Sequence, residues 1–200
     1  MSTVVIAQPV VRHTLDIGLV FKQGWRLFVK DIGPLLIGAL IAGVLSIVTL
    51  GILAGPLAAG LYGMVVKRVR DGQQPAVGDV FGQLGRFWAF FAAALVLGIL
   101  IGLASLTIIG GILLATIWLY VFPLMVDRGI GLGEAMGASY RMVKQAGFWE
   151  HLALVIVFLV ISSLANGALA ILATPFLVAA VAAGYYVAAG KGDELERAAA

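Results

Sequence analysis

IGPLLIGALIAGVLSIVTLGILAGPLAAGLYGMVV, residues 32–66, contains no Asp, Glu, Lys or Arg. The stretch fills the 35 positions between Asp31 and Lys67, well beyond the ~20 residues that carry a helix across a bilayer. It reads as a hairpin: a helix crosses, turns at an uncharged tip near Gly51 and Pro56, and comes back. Residues 87–126 and 151–190 repeat the pattern, each 40 residues long and equally free of charge. Three hairpins give six transmembrane helices. The expected fold is therefore an all-α integral membrane protein, a single membrane domain over residues 1–200 with short interfacial amphipathic helices.

Composition supports this class. Hydrophobic residues make up 62% of the chain and charged residues 12%, against roughly 45–50% and 25% in soluble domains. The 26 glycines sit among aliphatic residues, where small side chains let transmembrane backbones approach, and Gly98-Ile-Leu-Ile-Gly102 has the GxxxG spacing. Cysteine is absent, which removes disulfides, thiolate metal sites and thiol nucleophiles. The N-terminal MSTVVIAQPVVRHTLD lacks the basic region and cleavage site of a signal peptide, so the first hairpin is expected to direct insertion. Near the other end, KGDEL is followed by ERAAA and is not read as a retention signal.

The charges fall on one side. Arg12, Lys22, Arg26 and Lys30 precede the first hairpin, and Lys67, Arg68, Arg70 and Arg86 follow it. Arg128, Arg141 and Lys144 separate the second and third, and Lys191 and Arg197 follow the last. An even number of crossings places all four segments on one face, which the positive-inside rule makes cytoplasmic. Both termini are expected there, in a cytoplasmic (inner) membrane. Basic residues spread over four segments do not form a nucleic-acid surface.

A threefold repeat is expected over approximately residues 15–70, 78–128 and 132–190. The tips read Gly51-Ile-Leu-Ala-Gly-Pro56, Gly111-Ile-Leu-Leu-Ala-Thr116 and Ala170-Ile-Leu-Ala-Thr-Pro175. Trp25, Trp88 and Trp149 recur ahead of the hairpins at a headgroup-level position, and Tyr62, Tyr120 and Tyr185 recur near their ends. Each unit opens with an amphipathic segment. Lys22, Arg26 and Lys30 form one helical stripe beside Phe21, Trp25, Phe28 and Ile32. Asp79, Gln83 and Arg86 are backed by Phe81, Leu84, Phe87 and Trp88; Glu134, Arg141 and Lys144 by Met136, Tyr140, Val143 and Phe148. Such helices lie in the membrane plane and attach to anionic headgroups. They either guide the chain into its hairpins or form a collar that organises lipid. Pro56 and Pro175 are expected to begin returning helices, and Pro123 to kink the fourth span unless a neighbour satisfies the freed carbonyl.

Chemistry-bearing residues are few. No ionisable side chain lies deep in a span, where one would mark function. The spans carry Ser46, Thr49, Ser105, Thr107, Thr116, Ser162, Ser163, Asn166 and Thr174, read as helix-to-helix or helix-to-backbone donors. His13 and His151 stand alone and read as solvated or headgroup-level residues, with metal or porphyrin ligation as the alternative. Ser139 lacks the setting of a nucleophile elbow. No catalytic, metal or cofactor-binding set is expected. Asp127, at the unfavourable end of a helix dipole, is read as half of an ion pair with Arg128 or another unit's cation, the alternative being a gating or substrate-binding carboxylate.

Phe122-Pro-Leu-Met-Val-Asp127, Glu134-Ala135 and Ala138-Ser-Tyr-Arg-Met-Val-Lys144 together resemble bacterial multi-pass membrane proteins of the YciC-like type. They are also similar to the membrane domain beside some glycerophosphodiester phosphodiesterases. Gly55-Pro-Leu-x-x-Gly60, Asp79-Val-Phe81 and the stretch from Thr174-Pro175 to Tyr185 fit the same resemblance, which spans roughly residues 20–190. It implies a six-helix membrane fold and no activity. The favoured function is a non-enzymatic scaffold or accessory subunit, in contact with anionic lipid and with a larger membrane complex or its own copies. A transporter or channel for a small or lipid-like solute is the alternative, and an intramembrane enzyme the third. The residues singled out for function or lipid contact are Lys22, Trp25, Arg26, Lys30, Trp88, Asp127 and Trp149.

Overall fold

The computed structural model describes residues 14–165 and 168–199; Arg12, His13 and Asn166, singled out above, lie outside them. The described residues fold into ten α-helices and two short 3-10 turns. Helix α1 (Ile17–Lys30) starts where the Asp16 carboxylate accepts the Leu19 N–H at 3.0 Å, a side-chain cap for an otherwise orphaned donor. One residue, Asp31, separates it from α2 (Ile32–Val48), which leaves at 90°. The first tip turns through Leu50 and Gly51, both at positive φ. The Thr49 hydroxyl donates to the Leu45 carbonyl (2.7 Å) and accepts the Leu53 N–H (3.2 Å). Helix α3 (Ala54–Asp71) returns and stops at Gly72, φ +66, a left-handed position that favours glycine.

The second unit opens differently from expectation. Asp79, Gln83 and Arg86 do not share an α-helix but lie in and between 3-10 turns at Val77–Phe81 and Leu84–Arg86. Gly78, Gly82 and Gly85 explain the change, since glycine is among the poorest helix formers. Helix α4 (Phe87–Ala104) then runs out, and the chain returns as α5 (Ile108–Ile117) and α6 (Val121–Asp127). The third unit consists of α7 (Leu132–Ala146), α8 (Phe148–Leu164) at 109° to it, and α9 (Ala168–Ala188), followed by α10 (Gly192–Ala199). Pro175 lies inside α9 rather than at its start.

Outgoing and returning helices play different parts. Helices α2, α4 and α8 each bury one stripe: Leu35, Gly38, Ala39 and Ala42; Phe90, Ala93 and Leu97; His151, Leu154, Val155 and Phe158. Their other sides expose Leu, Ile and Val. The core lies among the returning helices, where α3 packs against α6 and α9 and Leu57, Met64, Leu124, Met125, Tyr120, Tyr185 and Tyr186 are fully buried. On another side of α3, two glycines let the opening of the second unit approach closely. A Cβ at Gly60 would stand 1.8 Å from the Val80 carbonyl oxygen, and one at Gly55 would stand 2.3 Å from that of Phe90. Gly98 and Gly102, by contrast, meet nothing within 4 Å, so the GxxxG pair serves no packing within the described chain.

Among the described residues, two helical stretches are long and apolar enough to cross a membrane: Val77–Ala104, in which the 3-10 turns lead into α4, and Ile109–Asp127. Counting each bent pair, α1 with α2 and α7 with α8, as one span raises the number to four. The expected six is thus not reached by length and composition. The reasons are local: α2 has only 17 residues, α3 gives its last turns to Lys67, Arg68, Arg70 and Asp71, and the apolar run of α9 is short at Leu172–Ala188.

Candidate functional site

The charged end of α3 draws the units together. Asp31, at the α1–α2 corner, is 2% exposed and takes both Nε and an η nitrogen of Arg68 in a bidentate pair. Lys67, one residue earlier, pairs with Asp79 at 2.8 Å, and the same Asp79 oxygen accepts the Ala76 N–H at 2.8 Å. Arg70 pairs with exposed Asp71 at 2.9 Å and holds its carboxyl below the usual carboxylate range. Asp31, which opens the first apolar stretch, and Asp79, ahead of the second, are therefore both fastened to the returning helix of the first. Arg86 fastens the second unit to itself, donating to the carbonyls of Met125 (2.8 Å), Gly129 and Ile130 (both 3.1 Å) past the end of α6, where unpaired carbonyls favour a cation.

Asp127 gains a partner that was not expected. The Tyr185 hydroxyl of α9 donates to its Oδ2 at 2.6 Å, with Arg128 in reach of the same tyrosine, and Arg70 at the end of α3 is within electrostatic reach of the carboxylate. Behind this pair lies a row of rings. Tyr186, Tyr185, Tyr120 and His151 follow one another at centroid separations of 5.1, 6.2 and 5.4 Å. His151 is not solvated but fully buried within the fold. Its Nδ1 faces the Gly147 carbonyl, while its Nε2 and the Tyr120 and Tyr186 hydroxyls have no hydrogen-bond partner among the described residues.

Ser139 sits beside this row. Its hydroxyl donates to the Ile117 carbonyl at 2.8 Å and accepts the Tyr120 N–H at 3.2 Å. These are backbone groups set free where α5 breaks before α6. The kink expected from Pro123 is therefore a full break three residues upstream, closed by a side chain from α7.

The remaining sequence candidates lie at the surface. Lys22, Arg26 and Lys30 are exposed on one side of α1, whose buried face is Val20, Gln23, Gly24, Leu27 and Phe28 against α9. Trp25, on the expected apolar stripe, is partly exposed while its ring meets Phe28 at 5.7 Å and Phe176 of α9 at 5.8 Å; Ile32 is exposed at the start of α2, and Gly24 lets the backbone of α1 approach Ala180. Trp88 and Trp149, 76% and 74% exposed, are the second residues of α4 and α8, whereas Trp25, 56% exposed, lies within α1. On α7 the buried residues are Ala135, Ala138, Ser139, Val143 and Ala146, while Tyr140 is exposed. Small residues on that face let α7 lie close to its neighbours. Asp31, Arg68, Ser139 and Tyr185 emerge only with the structure. The one signal in the sequence was that Asp31 is the sole acid between Asp16 and Asp71.

No protein family, curated protein or solved structure matches the chain.

Proposed function

We propose that the chain is a non-enzymatic multi-pass protein of the cytoplasmic membrane, a scaffold or accessory subunit of a membrane assembly, with six crossings and both termini cytoplasmic. The observation that carries this reading is the exposed apolar surface. Ile37, Leu40 and Val44 on α2, Leu95, Ile99 and Leu103 on α4, and Ile156, Leu159 and Val160 on α8 all face outward. At the tips Leu50 and Leu106 are 93% and 84% exposed. Apolar surface on this scale marks contact with membrane or partner, and lipid is the cover that suits three separate helices at once. The basic stripe on α1 gives anionic headgroups a place to bind. The resemblance to YciC-like proteins supports the same membrane fold and assigns no activity.

Purification in mild detergent, with mass spectrometry of bound proteins and lipids, tests the reading: a stoichiometric membrane partner is expected. Solute flux or substrate turnover by the reconstituted protein alone would overturn it. One observation favours the transporter reading: the interrupted α5–α6 helix beside the buried Tyr120 hydroxyl and His151 Nε2, which have no hydrogen-bond partner among the described residues, since discontinuous helices build transport sites. Flux abolished by Tyr120→Phe would replace the scaffold reading with that one.

A further inference from the structure

We propose that the cleft between the end of α3 and α10 binds a phosphate-bearing anion. The cleft has a volume of about 420 Å³, within the range of small-molecule sites. Arg68, Arg70, Lys191 and Arg197 line it together with a single carboxylate, Glu194, and with Gly72 at the turn.

The cations are held with different firmness. Arg68 is committed to buried Asp31, which neutralises it, so it shapes the wall more than it attracts an anion. Arg70–Asp71 and Lys191–Glu194, the latter at 3.5 Å, are exposed pairs. Pairs of that kind are weak in solvent and can be redirected to a stronger anion. Arg197 donates to the Asp193 carbonyl at 3.1 Å, and among the described residues no carboxylate neutralises it. Two guanidiniums able to turn toward one ligand suit the oxygens of a phosphate, which they bind in a forked, charge-assisted way.

The walls are firm enough to hold such a site. Leu195 and Ala198 bury the inner face of α10, and Lys30 donates to the Ala198 carbonyl at 3.1 Å. Lys191 Nζ lies 5.9 Å from the ring centroid of Tyr186, whose buried hydroxyl is unpartnered and within electrostatic reach of Arg70 and Glu194. The site goes beyond the scaffold reading and does not depend on it, because it needs only α3 and α10. A lipid headgroup and a free phosphate compound share this chemistry, and basic pockets at the cytoplasmic ends of helices hold phospholipid headgroups.

The test is calorimetric titration of the detergent-solubilised full chain with inorganic phosphate, and with cardiolipin or phosphatidylcholine in mixed micelles. One saturable equivalent is expected for phosphate or cardiolipin and none for phosphatidylcholine. Cardiolipin binding that millimolar phosphate does not displace assigns the site to a lipid headgroup. Binding of phosphate itself, competing with any cardiolipin, assigns it to a free phosphate compound. Arg70→Gln with Arg197→Gln should weaken binding by about a hundredfold, the loss of two charge-assisted contacts at about tenfold each, at an unchanged unfolding temperature. Glu194→Gln should tighten it. Lys22→Gln with Arg26→Gln should leave the single equivalent intact. Absence of saturable binding, or unaltered affinity in the Arg70/Arg197 variant, would overturn the proposal. Should that variant fail to fold, unaltered affinity in Glu194→Gln would do the same.

Discussion

Asp31 and Arg68 form a two-pronged ion pair that fixes the corner between α1 and α2 to the far end of α3. The carboxylate is almost wholly buried, and it supplies no side-chain cap to α2, so its partner is the guanidinium. Removing one member of a buried pair leaves the other uncompensated, at about 3–5 kcal/mol. Asp31→Ala is therefore expected to destabilise the protein by about 3 kcal/mol in detergent unfolding. The double change Asp31→Leu with Arg68→Met should cost less than Asp31→Ala alone. Equal losses would mean that the corner is held by packing and not by the pair.

Ser139 makes two hydrogen bonds at the α5–α6 break, one with Ile117 and one with Tyr120. Ser139→Ala keeps the shape but strands a carbonyl and an N–H in a buried setting, a loss of about 1–3 kcal/mol. Ser163→Ala, at an exposed position on α8, should change the unfolding midpoint much less. Similar midpoints for the two variants would show that the break needs no side chain to close it.

Gly60 and Gly98 offer a contrast within one residue type. Gly60→Ala drives a methyl into the Val80 backbone, and backbone cannot swing aside as a flexible side chain can. Overpacking of this kind costs about 1–3 kcal/mol. Gly98→Ala meets open space on α4 and gains helix propensity, so the isolated chain should be unharmed or slightly stabilised. Thermal unfolding of the two variants decides the point; comparable destabilisation would contradict the packing described.

What the sequence made legible was the helical class, the three uncharged stretches and the basic stripe of α1. A lack of charge over 35 residues is a one-dimensional signal and needs no knowledge of neighbours. The partners were not legible in the same way. Asp127 was matched to a cation because helix-end electrostatics are read locally, whereas Tyr185 stands 58 positions away. Spacing placed Trp25 on a stripe with Phe28, but not its contact with Phe176 of α9, which is 151 positions away. Length and composition reach only two to four crossings for a related reason. Where α3 leaves the apolar stretch is set by ion pairs to Asp31 and Asp79, which hydropathy does not see.

Tyr185 and Asp127 lead to a prediction of opposite sensitivities. An Asn carbonyl at position 127 can still accept the hydroxyl, so Asp127→Asn should cost about 0–1 kcal/mol, as for an interfacial pair. Tyr185→Phe removes the hydroxyl that donates to that carboxylate and should cost about 1.5–3 kcal/mol, the range for hydrogen bonds to charged groups. Chemical denaturation in mixed micelles ranks them. An Asn variant weaker than the Phe variant would show that the charge, not the hydrogen bond, is what the site uses.

The last prediction concerns the hairpin tips. Helix α2 has 17 residues and reaches about 25 Å at 1.5 Å per residue, short of the ~30 Å hydrocarbon layer. Helix α4 is one residue longer, and its candidate span extends back through the 3-10 turns to Val77. If all three hairpins cross, single cysteines at Leu53, Gly110 and Leu169 should react with an impermeant maleimide added outside intact cells. One at Gly78 should react only after permeabilisation. The first tip should label more slowly than the second, because its short helix and exposed Leu50 keep it nearer the lipid, with local thinning of the bilayer making up the mismatch. Labelling at Gly110 but never at Leu53 would make the first hairpin re-entrant and reduce the crossings from six to four. External labelling at Gly78 would invert the assignment of sides altogether.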